Sequence, residues 1–487
     1  MKETITVLKK ITLLFLLLPF LGLCQVQIGE DIDGQAANDF SGSGVSISEN
    51  GNIVAVGAPK NDDNGNNSGH VRVYENIGGI WTQIGQDING DEANVDFGWK
   101  TSISNDGNIL AVSALGDIGY VKIYEIIGDT WIQIGQKIVG ENPSDAFAES
   151  ISLSSNGTTI AIGAFNHEAG GSVAGRVKIF RNIGNAWIQL GQDLDGVTDD
   201  AAGESVSLSA DGNIVAVGTG PYSSYVKVYE NIEDVWIQIG EDIEGISNLD
   251  ENFGEVVSLS ANGNILAVGS RFSDVNGYSS GAVLIYENVE GTWIQISQRI
   301  NGINTSDWFG SAVSLSSEGT VVAIGAQSNS DEFDYSGQVK IYKNIEGSWI
   351  QIGQNINGVG ELDQCGEPET ISISSDGNIV AIGARMNDGI NGSNSGHVRV
   401  FDLSNALSIY EFKDSIFKLY PNPTKNQFTI QLDTSVELQN VTIYNILGQA
   451  VLISEEKTIN TSKLSSGSYI VEILTNKGKS SKKLIIE

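Results

Sequence analysis

Short runs of alternating apolar and polar residues recur along most of the chain, separated by turns rich in Gly, Asn and Asp. Four kinds of run follow one another in a fixed order. Alternation with a period of two predicts β-strands that bury one face. Each kind occurs seven times, so the sequence predicts seven antiparallel sheets of four strands. The four runs resemble SVSLS (205–209), NIVAVGA (52–58), VKVYEN (226–231) and WTQIGQDI (81–88).

A glycine lies in the hairpin between the first two strands of every repeat, directly after Asn, Asp or Glu, which favours a turn with positive φ. These glycines are Gly51, Gly107, Gly157, Gly212, Gly263, Gly319 and Gly377. Seven such sheets predict an all-β fold, a seven-bladed β-propeller over residues 25–401. A linear solenoid is the main alternative, but its end repeats are normally altered as caps, and these repeats are not.

The side chains predict where each strand lies in a blade. The serines of SVSLS suit the crowded axis, and the Trp and branched residues of WIQIG fill the wider rim, so these runs are the innermost and outermost strands. Residues 26–32 form an outermost strand with no inner strands before them, and the last repeat has no outermost strand after it. We therefore predict that residues 26–32 pair with 398–401 and complete blade seven, which leaves no open edge.

The long, variable loops follow strands two and four, which end on the same face of an antiparallel blade. Aromatic side chains in these loops are candidates for stacking on sugar rings or anchoring a protein partner. The alternative is that they pack against neighbouring loops. The candidate ligand-binding residues are Trp99, Trp308, Tyr222, Tyr278 and Tyr335, and Tyr225 and Phe272 lie in similar loops.

The blades resemble FG-GAP repeats, the type found in integrin α-chain propellers. Phe97-Gly98, Phe253-Gly254 and Phe309-Gly310 match the FG element, and Gly57-Ala58-Pro59 matches GAP. The calcium loop of that family is absent, so calcium binding of the family type is not expected. Asp62 and Asp63 are weak calcium candidates, with a solvated turn as the alternative. No other cofactor is predicted.

The sequence shows no nucleophile elbow, P-loop or HExxH motif, so we predict no catalytic residues. His70 and His397 occupy the same slot in SGHVRV, for which a repeat-consensus role is the simpler explanation than a paired metal or acid–base role. His167 has no visible partner in the sequence. Seven loop aspartates recur between strands four and one and are expected to cap backbone N–H groups. They are Asp39, Asp96, Asp145, Asp200, Asp250, Asp307 and Asp363.

The net charge of −33 is concentrated in residues 25–410, which hold 15 basic and 51 acidic side chains. Such a surface repels phosphate backbones and makes a nucleic-acid partner improbable. Lys2, Lys9 and Lys10 precede a short apolar run, so residues 1–24 are predicted to be a signal peptide. Lipidation of Cys24 is the weaker alternative. No transmembrane span is expected in the mature protein, where Cys365 is the single remaining cysteine.

The repeat stops at Phe401, and residues 402–412 are predicted to be a linker. Residues 413–487 resemble the type A sorting domain of the type IX secretion system of Bacteroidota, through LYPNPTKNQFTIQL (419–432), VTIYNILGQAV (441–451) and INTSKLSSGSYIVEI (459–473). Their alternating pattern predicts a small Ig-like β-sandwich. The resemblance implies a secreted protein, attached to the outer-membrane surface or released, with the secretion machinery as a partner.

These observations predict a non-catalytic binding or adhesion protein that engages a glycan or protein ligand. Two alternatives remain open. One is an extracellular polysaccharide-degrading enzyme on a propeller scaffold, because this secretion route commonly carries hydrolases. The other is a structural component of the cell surface, which would have a partner of fixed stoichiometry.

Overall fold

The computed structural model describes residues 25–220, 223–246, 249–250, 252–408, 417–432, 437–445, 450–475 and 478–486. The chain divides into two compact units, with the boundary between residues 406 and 407. In the described part of the first unit, seven antiparallel sheets follow one another along the chain. Each is one blade, and the strands run in order from the innermost to the outermost. The predicted all-β propeller fold is confirmed, and the seven sheets are consistent with the predicted seven blades.

The strand bounds show that most outermost strands are split into two segments, both paired with the third strand. Blade 1 comprises Val45–Ile47, Ile53–Ala58, His70–Ile77, Ile80–Gln83 and Ile88–Asn89. Blade 2 comprises Thr101–Ile103, Ile109–Ala114, Tyr120–Ile127, Thr130–Gln133 and Ile138–Val139. Blade 3 comprises Phe147–Leu153, Thr159–Ala164, Arg176–Asn182, Trp187–Gln189 and Leu194–Asp195. Blade 4 comprises Val206–Leu208, Ile214–Gly218, Tyr225–Ile232, Val235–Gln238 and Ile243–Glu244.

The remaining blades follow the same plan. Blade 5 comprises Val256–Leu259, Ile265–Ser270, Ala282–Val289, Thr292–Gln295 and Ile300–Asn301. Blade 6 comprises Phe309–Leu315, Val321–Ala326, Gln338–Ile345 and the unbroken outermost strand Ser348–Asn357. Blade 7 comprises Ile371–Ile373, Ile379–Ala384 and His397–Asp402, with Val26–Gln27 and Ile32–Asp33 from the start of the described chain.

The blades form a closed ring around their innermost strands. The second residue after each innermost strand donates its backbone N–H to the carbonyl of the equivalent residue in the next blade, at 2.8–3.0 Å. The seventh of these hydrogen bonds returns to the first blade, so the ring closes. The residues are Glu49, Asn105, Ser155, Ala210, Ala261, Ser317 and Ser375. Serines of the innermost strands add to this seam, as where the Ser207 hydroxyl accepts the backbone N–H of Leu259 at 2.9 Å.

The two ends of the propeller segment meet in blade 7, as predicted. Val26 pairs with Asp402 and Gln27 with Phe401, and further along Ile32 pairs with Val398. All of these pairings are antiparallel. The last blade is therefore completed by the first described strand.

Glycines hold successive blades in close contact at two places. A Cβ on Gly57, of the GAP element, would lie 1.9 Å from the carbonyl oxygen of Gly98, of the next FG element. The hairpin glycines predicted to need positive φ all have it, between 64° and 76°. A Cβ on Gly51 would also lie 2.5 Å from the Ile379 side chain of the neighbouring blade. Contact between blades therefore excludes a larger residue at both positions, and the positive φ of Gly51 disfavours one there as well.

The repeated tryptophans join the outer strands of neighbouring blades. Trp236 is 3% exposed and donates its indole N–H to the carbonyl of Leu190 in the preceding blade at 2.8 Å. Gln192 clamps the same tryptophan, since its amide donates to the Trp236 carbonyl at 2.7 Å and accepts its N–H at 3.1 Å. Trp131 and Trp187 make the same contacts. The WIQIGQ phrase thus encodes the seam between blades, and the structural role predicted for its tryptophan is confirmed.

The predicted linker at 402–412 is partly regular structure. The third strand of blade 7 extends to Asp402, whose carboxylate accepts the N–H of Ser404 at 2.8 Å and caps a short helix, Ser404–Ser408. Leu403, Ala406 and Leu407 are buried. The short apolar sequence LSNAL therefore folds because it buries these side chains. Residues 409–412 lie outside the described residues.

The second unit contains two antiparallel sheets around one core. One sheet comprises Phe417–Tyr420, Gln427–Leu432 and Thr458–Asn460. The other comprises Ala450–Ser454, Leu438–Tyr444, Gly467–Thr475 and Gly478–Ile486, in that order. Phe428 and Ile430 of the first sheet share a buried cluster with Val441, Val471 and Leu484 of the second. This is a β-sandwich, as the alternating pattern predicted.

Candidate functional site

The residues that enter the innermost strands from the loop-rich face break the repeat. Each follows a residue with positive φ, which is a glycine in six blades, three of them FG elements, and Ala148 in blade 3. Although that backbone position repeats, the side chain after it is Glu in four blades, Ser in two and Trp in one. The seven residues are Ser43, Trp99, Glu149, Glu204, Glu255, Ser311 and Glu367. Because the innermost strands surround the axis, most of these side chains line one cavity at the mouth of the central channel.

This cavity, which we call the acidic mouth, has a volume of about 230 Å³. Five glutamates contribute to its wall, together with three basic side chains and Trp99. They are Glu149, Glu204, Glu255, Glu367 and Glu369, with Lys100, Arg271 and Arg385. Acidic side chains therefore outnumber basic ones, and the arrangement has no sevenfold symmetry.

Three glutamates of the acidic mouth are held in ion pairs. The Arg271 guanidinium lies 2.5 Å from Glu255 Oε1, and Lys100 Nζ lies 3.3 Å from Glu369 Oε2. Arg385 donates to Glu367 Oε1 at 3.1 Å. Burial raises the pKa values of both Glu255 and Glu369, with the paired cation acting in the opposite direction. These pairs fix the basic side chains around the wall and leave the remaining carboxylates facing the cavity.

Glu149 and Glu204 have no ion pair among the described residues. Glu149 accepts a hydrogen bond from Trp99, whereas the side chain of Glu204 has no hydrogen bond either. The pKa of Glu204 is raised to about 7, first by burial and then by the carboxylates of Glu255 and Glu149, against the weaker opposing effect of Arg271 and Lys100. At neutral pH this group is partly protonated and can either donate or accept a hydrogen bond.

Trp99 and Trp308 lie at or beside the acidic mouth. The Trp99 indole donates to Glu149 Oε1 at 2.9 Å, and the Arg385 guanidinium lies 5.5 Å from its ring centre. Trp308 meets Phe272 edge to face, with ring centres 5.2 Å apart, and Arg271 lies 5.4 Å from the Trp308 ring centre. Both indoles are half-buried. Each therefore packs against its neighbours and still presents a surface to solvent.

The structure places Tyr278 and Tyr335 away from the acidic mouth. They are 73% and 51% exposed in the loops between strands two and three. Tyr225 has its hydroxyl hydrogen-bonded to Asp200. Tyr222 lies outside the described residues. The four described candidates thus do not form one surface, and Trp99 and Trp308 are the two of these four that the fold brings near the axis.

The recurrent loop aspartates cap backbone N–H groups in five of the seven blades, as with Asp363, which accepts from Val359 at 2.8 Å and Gly360 at 2.7 Å. The others that do so are Asp39, Asp145, Asp200 and Asp250. Asp307 instead bonds side-chain amides, and Asp96 lies 2.7 Å from Lys60 Nζ. Asp96 differs because it lies one residue after the position that the capping aspartate occupies in blade 1. In blade 2, Val95 occupies that position.

His167 has a partner that the sequence did not reveal. It is 5% exposed, and its Nδ1 lies 2.7 Å from Asp145 Oδ2. Asn61 and Asn387 occupy the same place in blades 1 and 7, where they donate to Asp39 and Asp363. The expectation that His167 is isolated is therefore wrong, and its contact is one that the repeat makes with Asn.

His70 and His397 begin the third strands of blades 1 and 7 and are buried. Their pKa values are lowered, that of His397 to about 4, because of burial and then the positive charges of Arg72 and Arg399. The two histidines lie in separate clusters. His397 is beside Asp31 and Asp33, and His70 is beside Asp63 and Asp87.

Of the two weak calcium candidates, Asp63 thus belongs to a cluster of possible ligands. Asp62 lies outside it, and its carboxylate accepts the N–H of Asn67 at 2.8 Å in an exposed turn.

The glutamates of the acidic mouth were missed by sequence reasoning because the chain has 60 acidic residues. One pattern could have found them. Aligning the seven repeats on this positive-φ position, a glycine in six blades and Ala148 in blade 3, shows that the next position is Glu, Ser or Trp, whereas the strand after it keeps its alternating pattern. A variable position inside an otherwise regular repeat is where an asymmetric site can arise.

Comparison with known families agrees with this architecture. Residues 418–487 match the secretion system C-terminal sorting domain, and residues 32–74 match the FG-GAP repeat. The chain therefore carries an FG-GAP-type β-propeller and a C-terminal sorting domain of the type IX secretion system. This domain identifies the protein as secreted, either attached to the outer-membrane surface or extracellular, with the secretion machinery as a partner.

Two solved structures share limited similarity with this chain. The β-propeller domain of Cps50 (Swd1) from Myceliophteria thermophila has a TM-score of 0.49 at 11% identity, covering 78% of this chain and 98% of that one. A putative 6-phosphogluconolactonase from Bacteroides uniformis has a TM-score of 0.46 at 14% identity, covering 65% and 85%. No curated protein matches significantly. Within the described residues, no helix is long and apolar enough to cross a membrane.

Proposed function

We propose that this is a non-catalytic binding protein of the cell exterior whose propeller binds a sugar residue of a glycan at the acidic mouth. The observation that carries the proposal is the break in the repeat there. The blades repeat the same strands and seams, yet the residue at the entry to the innermost strand is Glu, Ser or Trp, and six of these seven residues line one cavity. A cavity of about 230 Å³ suits a single small polar group rather than a polymer wrapped inside it.

The chemistry of the wall supports a hydroxyl-rich ligand. Carboxylates accept hydrogen bonds from sugar hydroxyls, and guanidinium groups donate to them. Arg271 and Arg385 are fixed by ion pairs with Glu255 and Glu367, so their remaining N–H groups are oriented before a ligand arrives. Trp99 supplies a half-buried aromatic face, which can stack on a sugar ring.

The test is binding of the purified protein to an oligosaccharide array and to intact cells. We expect W99A and E204Q to weaken binding at least tenfold, since each removes a group of the acidic mouth. Glu318 lies exposed in a hairpin on the opposite face, so E318Q is the matched control and should bind like the native protein. Equal binding by all four proteins would refute the assignment of the site.

A hydrolase acting on polysaccharides is the second candidate, and one observation favours it. Glu204 has its pKa raised to about 7 beside the carboxylates of Glu255 and Glu149, and paired carboxylates in unlike environments are what glycoside hydrolysis uses. Sugar release by the purified protein, abolished in E204Q, would establish this candidate. Binding without release would favour the non-catalytic function.

A further inference from the structure

We propose that blades 1 and 7 each bind a divalent transition-metal ion of the zinc class. The ligands would be the histidine at the start of the third strand and two carboxylates of the same blade. In blade 7 they are His397, Asp31 and Asp33, and in blade 1 they are His70, Asp63 and Asp87. In each set, one ligand atom from every residue lies within 4.8 Å of the others.

Unpartnered imidazole nitrogens point to a missing ligand. His70 is 0% exposed, and neither of its ring nitrogens has a hydrogen-bond partner among the described residues. His397 is 2% exposed and its Nε2 is likewise unpartnered, while its Nδ1 lies 3.4 Å from Asp31 Oδ2. A buried polar group without a partner destabilises the fold, and a metal ion would satisfy it.

Other blades show how this slot is normally satisfied. In blade 3 the equivalent residue is Arg176, whose Nε lies 2.6 Å from Asp195. In blade 6 it is Gln338, whose amide donates to Asn357 at 2.8 Å. Both partners lie on the outermost strand. In those blades the slot residue therefore bonds to a residue of the outermost strand. In blade 7 the same outermost-strand position is Asp33, whereas in blade 1 it is Asn89, and Asp87 lies two residues before it.

One carboxylate of each site is already oriented by a second contact. Gln27 donates to Asp31 Oδ1 at 2.7 Å, and Gln83 donates to Asp87 Oδ1 at 2.6 Å. The other oxygen of each carboxylate is left for the histidine side. In blade 7, Asp33 is also the direct cross-strand neighbour of His397.

The donor set selects the metal. One imidazole nitrogen and two carboxylate oxygens suit zinc and similar ions, whereas calcium prefers six or more oxygens. The two carboxylates of each site also offset the nearby guanidinium of Arg72 or Arg399, and Arg399 is itself bonded to the carbonyl of Asn357. Asp62, outside both clusters, is not a ligand in this proposal.

The blade 7 site has a consequence for the ring. Asp31 and Asp33 come from the first described strands, and His397 comes from the third strand of the last blade, so one ion would join the two ends of the propeller. Binding to the folded state alone raises stability with the concentration of free metal.

The test is calorimetric titration of Zn²⁺ into the purified, untagged and chelator-treated protein at neutral pH. We expect two ions per chain and a rise in the thermal midpoint. H397Q and H70Q should each remove one ion, and glutamine already occupies this slot in blade 6, so the fold should tolerate it. H167N, which places the repeat's usual residue in another buried slot, should still bind two.

Each result decides the proposal. No heat and no midpoint shift at about 100 μM Zn²⁺ would overturn it, since a site with useful affinity is saturated there. A stoichiometry unchanged by both glutamine substitutions would overturn it too, and a change in only one would overturn the site in the other blade. If H397Q does not fold, D31N should lose the same single ion.

Discussion

The seams between blades and the acidic mouth are built on the same repeated blade backbone, but they have opposite roles. At a seam, Trp236 and Gln192 repeat a set of hydrogen bonds found in other blades, and the indole is almost completely buried. At the mouth, Trp99 and Glu204 occupy equivalent positions in different blades and share no chemistry. Repetition thus marks the residues that stabilise the ring, and its loss marks the residues that can recognise something.

The two regions also differ in how they treat polar groups. The seam pairs its donors and acceptors within the protein. In the acidic mouth, Glu204 has no partner among the described residues and its pKa is raised to about 7 by burial and like charges. The unpartnered carboxylate of the acidic mouth destabilises the folded state, and the hydrogen bonds of the seams stabilise it. This division is common where a protein binds ligands.

The largest contrast should appear when tryptophan is removed from each region. We expect W236A to destabilise the propeller by about 3–5 kcal/mol, because it empties a buried site and breaks the bond to Leu190. W99A should cost only about 1 kcal/mol, since Trp99 is half-buried and loses one hydrogen bond. Urea denaturation of both variants measures the difference, and equal losses would show that the mouth is as structural as the seam.

The second contrast is in pH dependence. Because the folded-state pKa of Glu204 is raised from 4.5 to about 7, the folded protein binds its proton more tightly, and stability falls as pH rises through this range. E204Q removes the carboxylate whose ionisation destabilises the folded state. Its free energy of unfolding should therefore exceed that of the native protein by about 1–3 kcal/mol at pH 8 and match it near pH 4.

Thermal midpoints across this pH range test the prediction for Glu204. E318Q, on the exposed opposite face, should follow the native protein at every pH. A native-like slope in E204Q would mean that another group, such as Glu255, controls the pH dependence.

A smaller difference in stability is expected between variants of two recurrent aspartates, Asp363 and Asp96. D363A should cost about 1–2 kcal/mol, because it leaves the N–H groups of Val359 and Gly360 without their acceptor. D96A should cost less than about 1 kcal/mol, since it removes an ion pair that is partly exposed. Chemical denaturation of the two variants checks the order, and a larger loss for D96A would contradict it.

The smallest effect is expected in the hairpins of the opposite face. Asp211 accepts the backbone N–H of Asn213 at 3.0 Å, and Asn262 makes the same contact with Asn264 in the next blade. D211N should therefore change stability by less than about 0.5 kcal/mol. A larger loss in the same denaturation assay would show that the charge of Asp211 matters as well as its hydrogen bonds.

The fold could be predicted from the sequence in most of its detail, because a sevenfold pattern averages out the ambiguity of each short strand. The alternation gave the strands, and the small and bulky side chains gave their order from axis to rim. The missing outermost strand after blade 7 predicted the pairing of Val26 with Asp402. The helix at Ser404–Ser408 was not predicted, since it is short and depends on burying Leu403 and Ala406.

The candidate site was much harder to predict from the sequence than the fold. The loop aromatics were predicted on the face where the acidic mouth lies, but Tyr278 and Tyr335 lie apart from Trp99, and no pattern in one sequence gives that separation. Glu204 becomes distinctive only through burial and through charges brought from other blades. The partner of His167 was hidden for the same reason, because Asp145 belongs to a different loop.

The pairing of Val26 with Asp402 also sets the order in which the molecule can be completed. The outermost strand of blade 7 reaches its position only after the other three strands of that blade exist. A chain passing lengthwise through a membrane pore must therefore deliver the whole propeller segment before the ring shuts. Closure over so long a loop is slow, although its entropic cost grows only with the logarithm of length. We expect ring closure to be the last and slowest step in folding the propeller, taken when the sorting domain is already next to emerge.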